Sequence, residues 1–225
     1  MSAQQMNVDN IAHNLANANT TGYHGERIQF SQALAKARDG AFVNATAGKT
    51  DDTQGVITPT GNPLDAAIAG DGFFAIDTPR GVRYTRDGAF RLDSKNQLTT
   101  SEGNTVRSTD GKPLKLLPEA GEVSIAADGT VSAGDSAVGK IKLARFAPQN
   151  VQREGASMYV ANGPEVKGGK EPELAPAALE SANVSVVRGV VDLVRISRSY
   201  EALHKMIETY KDMDDRAARS IAGNG

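Results

Sequence analysis

One segment restricts the fold of this chain more than any other. From Ser185 to Ile221, the residues Val186, Gly189, Leu193, Ile196, Tyr200, Leu203, Ile207, Tyr210, Asp214, Ala217 and Ile221 follow alternating steps of three and four, and only Asp214 interrupts the apolar series. A stripe sustained this long is the pattern of a coiled-coil helix. At 1.5 Å per residue the helix is about 55 Å long. Val187, Val190, Val194, Met206 and Met213 form a second apolar flank. A single partner helix would leave part of that surface bare, so several neighbours are expected to cover it. Folding of the helix back along its own β domain remains the alternative.

The other end of the chain carries a shorter version of the signal. Between Met1 and Leu15, Val8, Ile11 and Leu15 stand at i, i+3 and i+7, one face of a helix. So short a helix, with Asn at 7, 10, 14 and 17, is marginal by itself and needs a partner to persist. Asn17 to Gly25 reads as a turn-rich break. Ser31 to Arg38 reads as a second short helical piece, and Ala41 to Thr60 as an unpatterned linker or extended arm.

Between Asn62 and about Leu174 the pattern changes to short apolar runs separated by turns. Asp-Gly pairs at 71–72, 87–88, 110–111 and 128–129 are tight-turn signals, because both residues tolerate positive φ. They punctuate candidate strands at Phe73–Ile76, Val82–Thr85, Ala89–Leu92 and Gln97–Thr100, a hairpin of Val123–Ile125 with Thr130–Ser132, and an alternating run at Lys140–Leu143. Asn162 to Pro176, rich in Pro and Gly, reads as a boundary loop. The expected fold class is therefore α+β, a central antiparallel β domain flanked by N- and C-terminal helices.

Composition removes several classes of function. The 225 residues carry 25 basic and 27 acidic side chains, a net charge of −2, which lacks the basic excess that phosphate-backbone binding requires. No nucleic-acid partner is expected. Cys is absent, which removes thiol nucleophiles, disulfides and thiolate metal sites. No apolar run approaches the roughly 18 residues of a membrane span. With no Lys or Arg before Arg27, the basic start of a secretory signal is missing, and composition alone points to the cytosol. His13, His24 and His204 are scattered, fit no metal-binding spacing, and read as surface groups. Gly168-Gly169-Lys170 is followed by Glu171-Pro172 and fails as a phosphate loop. A calcium loop from Asp93 fails because Leu98 and Asn104 stand where Gly and Glu are needed. Asp65, Asp71 and Asp87 read as turn carboxylates, although a glycosidase pair among them depends on geometry the sequence does not show. No catalytic, cofactor or metal residues are expected.

The run Asn14-Leu15-Ala16-Asn17-Ala18-Asn19-Thr20-Thr21-Gly22-Tyr23 closely resembles the N-terminal signature of the bacterial flagellar rod and hook axial proteins. Gly61-Asn62-Pro63-Leu64-Asp65, Gly70-Asp71-Gly72-Phe73-Phe74 and Tyr84-Thr85-Arg86-Asp87-Gly88-Ala89-Phe90 are similar to that family's central motifs, in the same order. Leu179-Glu180-Ser181-Ala182-Asn183-Val184 resembles the pattern before the family's long terminal helix, and Arg198-Ser199-Tyr200-Glu201 a motif within it. Hook proteins are much longer, which leaves the rod, and the ending Asp212-Met213-Asp214-Asp215-Arg216-Ala217 is more similar to the proximal-rod branch than to the distal-rod branch. Two features depart from the pattern: Ala182 stands where Ser is common, and Met1 begins partway through the expected first helix. About ten further residues would complete the stripe of Val8, Ile11 and Leu15.

The resemblance implies a structural subunit of the basal-body rod, the drive shaft that passes torque from motor to hook. It implies that residues 1–38 and 180–225 pair as a coiled-coil-like inner-tube domain, that 39–61 link, and that 62–179 form an outer β domain. It reverses the localisation drawn from composition, because family members reach the periplasm through the flagellar export apparatus without a cleaved signal. The implied partners are other rod proteins, further copies of the chain and the export apparatus, with no membrane embedding. Val8, Ile11, Leu15, Val186, Leu193, Ile196, Tyr200, Leu203, Ile207, Tyr210 and Ile221 are the expected assembly interface. The alternatives are the distal-rod protein, a β-domain enzyme acting on peptidoglycan, and a coiled-coil adaptor.

Overall fold

A computed structural model describes residues 3–27, 49–116, 121–134, 136–166, 168 and 172–222. The chain divides into two units, one of residues 1–15, 28–47 and 185–225 and one of residues 16–27 and 48–184. The short helix read at Ser31–Arg38 lies outside the described residues.

The first unit contains two described helices, α1 (Ala3–Ala16) and α2 (Val186–Ala222). Both lie where the 3.6-residue periodicity places them. Ser185 starts α2: its hydroxyl accepts from the Arg188 amide at 3.4 Å, satisfying one of the donors that a helix N-terminus leaves open, and its carbonyl accepts the first intrahelical bond, from the Gly189 amide at 2.9 Å. After Ala16 the chain turns through Asn17–Thr20, whose closing hydrogen bond is 2.9 Å.

The second unit is antiparallel throughout. Its largest sheet runs in the order Val151–Glu154, Met158–Ala161, Gly81–Thr85, Phe73–Thr78, Thr105–Val106, Leu98–Thr100, Phe90–Leu92, with Leu143–Ala144 also pairing on Phe73–Phe74. A three-stranded sheet is built from Val123–Ile125, Thr130–Ala133 and Ser136–Lys140. The Asp128 carboxylate closes its first turn by accepting the Thr130 amide and hydroxyl. The strands expected around Phe73, Val82, Phe90, Leu98, Val123 and Thr130 are all present.

Three expectations need correction. Lys140–Leu143 is not one strand. Lys140 ends the three-stranded sheet, Ile141 bridges to Ser108, and Leu143 begins a new pairing. Its alternation marks a crossing between sheets, whose side chains alternate just as a continuous strand's do. Asn162–Pro176 is not wholly loop, because Glu173–Pro176 pairs with Ala66–Ala69. In the stretch read as a linker, Lys49–Thr50 pairs with Glu26–Arg27 and Ile57–Pro59 with Ala178–Glu180. Strands of two to four residues take their place from a distant partner and leave no pattern of their own.

The core is aliphatic with two aromatic rings. Ile68, Phe74, Phe90, Leu98, Val106, Leu114, Leu116, Ile125, Val131, Ile141 and Leu174 are buried together. Phe74 and Phe90 meet edge to face with centroids 5.0 Å apart. Phe74→Ala is expected to destabilise the chain by about 3–5 kcal/mol through lost burial and the cavity left behind. Chemical denaturation that gave a midpoint within error of the unsubstituted chain would refute this central place for Phe74.

Candidate assembly surface

From its first turn onward α2 carries apolar side chains that face solvent. Val187 is 76% exposed, Ile207 53% and Tyr210 63%, and Val186, Val190, Val191, Val194, Tyr200, Met206 and Met213 are exposed with them. On another line of the same helix, Gly189, Leu193 and Ile196 are half-buried, as are Val8, Ile11 and Leu15 of α1. A Cβ placed on Gly189 would lie 3.8 Å from Leu15 Cδ1, so these lines of residues meet at one point at least. Of the residues expected to form the interface, Val186, Tyr200, Ile207 and Tyr210 are therefore open. Val8, Ile11, Leu15, Leu193 and Ile196 are partly covered. The side chains of Leu203 and Ile221 lie outside those described. Val191, not singled out by periodicity, joins the exposed set.

The β unit holds a second arrangement that reading the sequence missed. Glu180, 1% exposed, receives three hydrogen bonds on its carboxylate: from His24 Nε2 at 2.8 Å, the Gly55 amide at 2.9 Å and Arg86 Nη1 at 3.0 Å. Its carbonyl accepts the Gly22 amide at 2.8 Å. His24 is thus buried and not the surface group expected, since the side chain that satisfies it lies 156 residues away. Arg86 also donates to the Gly70 carbonyl at 2.7 Å and lies over the Phe73 ring. Arg153 lies 4.3 Å from the Tyr23 ring centroid, within reach of Tyr159, and donates to the His24 carbonyl and the Tyr159 hydroxyl. The signal that could have found this cluster was the charge pattern of the motifs, since Glu180 and Arg86 stand inside two of those quoted above.

Burial alone would raise the Glu180 carboxyl, but the His24, Arg86 and Gly55 donors outweigh it and hold the group below its ordinary value of 4.5. A carboxyl lowered on folding stabilises the fold above its unfolded pKa, and that stability is lost as pH falls from there through the folded value. Unfolding free energy is expected to drop below about pH 4.5, and Glu180→Gln to flatten that part of the curve. An acid limb of the same slope in the variant would contradict the assignment.

Two of the three acids considered for catalysis have local work. Asp65, buried, accepts from Thr60 Oγ1 at 2.6 Å and Asn62 Nδ2 at 2.8 Å. Asp87 accepts the Ala89 amide at 3.0 Å and the Ser101 hydroxyl at 3.3 Å, and burial raises its carboxyl. Among the described residues, no group of three or more His, Asp or Glu could hold a metal ion, and no helix is long and apolar enough to cross a membrane.

Three family descriptions match the chain in order: flagella basal body rod protein over residues 1–24, the flagellar hook protein FlgE/F/G D1 domain over 67–133, and the flagellar basal body rod FlgEFG protein C-terminal region over 175–220. The chain is 34% identical over 224 residues to the flagellar basal-body rod protein FlgF of Mesorhizobium japonicum, with 97% of this chain and 93% of that protein aligned. It is 33% identical to FlgF of Escherichia coli, with 93% and 88% aligned. The flagellar basal-body rod protein FlgG of Borreliella burgdorferi is 33% identical, with 95% and 92% aligned.

Proposed function

The chain belongs to the flagellar basal-body rod protein family and is a structural, non-catalytic rod subunit of proximal-rod type, and from that premise we propose how it assembles. Its two terminal helices pair antiparallel. Starting from the contact of Leu15 with Gly189, that direction sets Ile11 beside Leu193 and Val8 beside Ile196, the residues that are half-buried. Helix α1 has 14 residues against 37 in α2, so most of the longer stripe extends past its partner. The uncovered remainder, from Tyr200 to Met213, is closed by neighbouring copies and by other rod proteins through heterologous contacts, the type that builds open helical arrays. The exposed apolar flank of α2 is the observation that carries this reading.

The chain reaches the rod through the flagellar export apparatus without a cleaved signal, crosses the periplasm as part of the shaft, and passes torque toward the hook. None of the three alternatives is favoured. A wall-acting enzyme would need two carboxylates free to act, whereas Asp65 accepts from Thr60 and Asn62 and Asp87 from Ala89 and Ser101.

The absence of Cys permits a direct test. A single Cys at Ile207 is expected to cross-link to rod neighbours in purified hook–basal bodies. Recovery of the variant only as soluble, uncross-linked chain from cells with complete flagella would defeat the proposal.

A further inference from the structure

Asn162 and Gly163 follow the strand Met158–Ala161, just past its last pair, Ala161 with Val151. The Asn162 backbone N–H donates to the Asn150 carbonyl at 2.8 Å, and there the hairpin ladder ends. The Asn162 side chain is exposed, and neither it nor the Gly163 N–H has a hydrogen-bond partner among the described residues. Gly163 is half-buried, and a Cβ there would lie 2.4 Å from Asn150 Cγ. Packing against Asn150 therefore favours glycine. It sets the one residue without a side chain directly after an exposed, unbonded amide.

Asn is chemically labile where the next backbone nitrogen is uncrowded and can turn onto its side chain, which glycine permits best. The other Asn residues between 48 and 184 lack that neighbour. Asn62 precedes Pro63, which has no N–H, and Asn96, Asn104, Asn150 and Asn183 precede Gln, Thr, Val and Val. The Asp-Gly pairs present an acid, a poorer target for a nitrogen than an amide. Asp87 and Asp128 are moreover engaged by the Ala89 and Thr130 amides, and the Gly111 and Gly129 amides donate to the Ser108 and Ala126 carbonyls, each at 2.9 Å.

We infer that Asn162 is a modification site, converted spontaneously to aspartate and isoaspartate. The Gly163 nitrogen attacks Asn162 Cγ. A bond forms between them, the Cγ–Nδ2 bond breaks, and ammonia leaves with the proton that the Gly163 nitrogen gives up. Water then opens the cyclic imide. Cleavage of the new N–Cγ bond gives aspartate, whereas cleavage between the nitrogen and the main-chain carbonyl carbon of residue 162 leaves Gly163 joined through the side chain, as isoaspartate. One water is consumed and one ammonia released, with no change of oxidation state. Either product makes the chain one unit more negative than its present −2. Isoaspartate also adds a carbon to the main chain at the head of the loop in which Glu165 pairs with Lys142 at 3.3 Å and the Val166 amide donates to the Arg145 carbonyl at 2.7 Å. Those two tethers are the contacts it affects most directly. The inference does not depend on the rod reading.

The purified full chain is kept at mildly alkaline pH and sampled by peptide mapping with mass spectrometry, which separates Asn162-Gly163 from Asn224-Gly225 at the end of the chain. The mass increase of amide-to-acid conversion is expected at Asn162 several-fold faster than at any other Asn between 48 and 184. The peptide is expected to become a methyl acceptor for isoaspartyl methyltransferase, and the folded chain to react within a few-fold of its rate in urea. Asn162→Gln is expected to remove both signals while unfolding at the parental urea concentration, because its longer side chain closes only a larger, slower-forming ring. An Asn162 amide that survives in the folded chain yet converts in urea overturns the inference, since the fold would then hold the pair shut. So does conversion at an equal rate at the other Asn residues, which would leave Gly163 without a part in it.

Discussion

Ile207→Asp is expected to abolish swimming and to leave the variant chain out of purified hook–basal bodies, while the melting temperature of the soluble chain stays that of the parent. Ile207 is 53% exposed on α2 and belongs to the helical unit. In the rod, the proposed contacts bury this side chain, which contributes about 1.5–3 kcal/mol relative to exposure. Substitution by Asp removes that contribution and places a charge without a partner in the same apolar seam, a cost of several kcal/mol per ion even after relaxation. Every copy suffers the loss, so the effect multiplies along the shaft. Ile207→Leu keeps the apolar volume and is expected to assemble and swim as the parent does. Soft-agar swimming together with immunodetection in basal bodies decides the matter. An Asp variant found there at parental levels would show that Ile207 faces no neighbour.

The second large effect is in the β unit. Gly88→Ala is expected to cost at least about 4 kcal/mol, at the extreme of single substitutions, and to leave the chain unfolded or heavily aggregated at growth temperature. A Cβ at this position would lie 1.6 Å from the Ala66 carbonyl oxygen and 3.3 Å from the Phe74 ring. The first neighbour is backbone, and that backbone is not free to retreat. The Ala66 amide donates to the Gly88 carbonyl at 3.1 Å, and Ala66 pairs with Pro176 at the end of a strand whose next residues are fully buried. Circular dichroism and urea unfolding are the measurements. A cooperative transition within about 1 kcal/mol of the parent, the typical effect of a single substitution, would mean that the two segments can part without loss.

Gly88 also shows where a sound local signal led to the wrong reason. The pair Asp87-Gly88 reads as a positive-φ turn, and Gly22, Gly72, Gly111 and Gly129 do have positive φ. Gly88 is not among them. It is glycine because another strand's carbonyl occupies the space of its side chain. Gly22 meets both demands, with φ of 64° and the Arg86 carbonyl carbon 2.4 Å from where a Cβ would be. A turn is a property of adjacent residues and can be read along the chain, whereas a close approach belongs to two segments and cannot.

The same distinction separates what the amino-acid order decided from what folding decided. Both helices, the strands between Asp-Gly turns and the apolar stripe that needs a neighbour were legible, because periodicities of 3.6 and 2 are set by local backbone geometry. The strands Ile57–Pro59 and Glu173–Pro176 were not, being held by partners more than a hundred residues distant. Nor was the cluster around Glu180. As single residues, His24, Arg86, Arg153 and Glu180 look like solvated surface charges, and water is where isolated charges are most stable. Only the tertiary structure brings His24 and Arg86 within hydrogen-bond reach of Glu180, and Arg153 onto the His24 carbonyl and the Tyr23 ring. Burial then becomes tolerable for all of them together and for none alone, because the stabilising charge-to-charge bonds exist only once the distant segments have met.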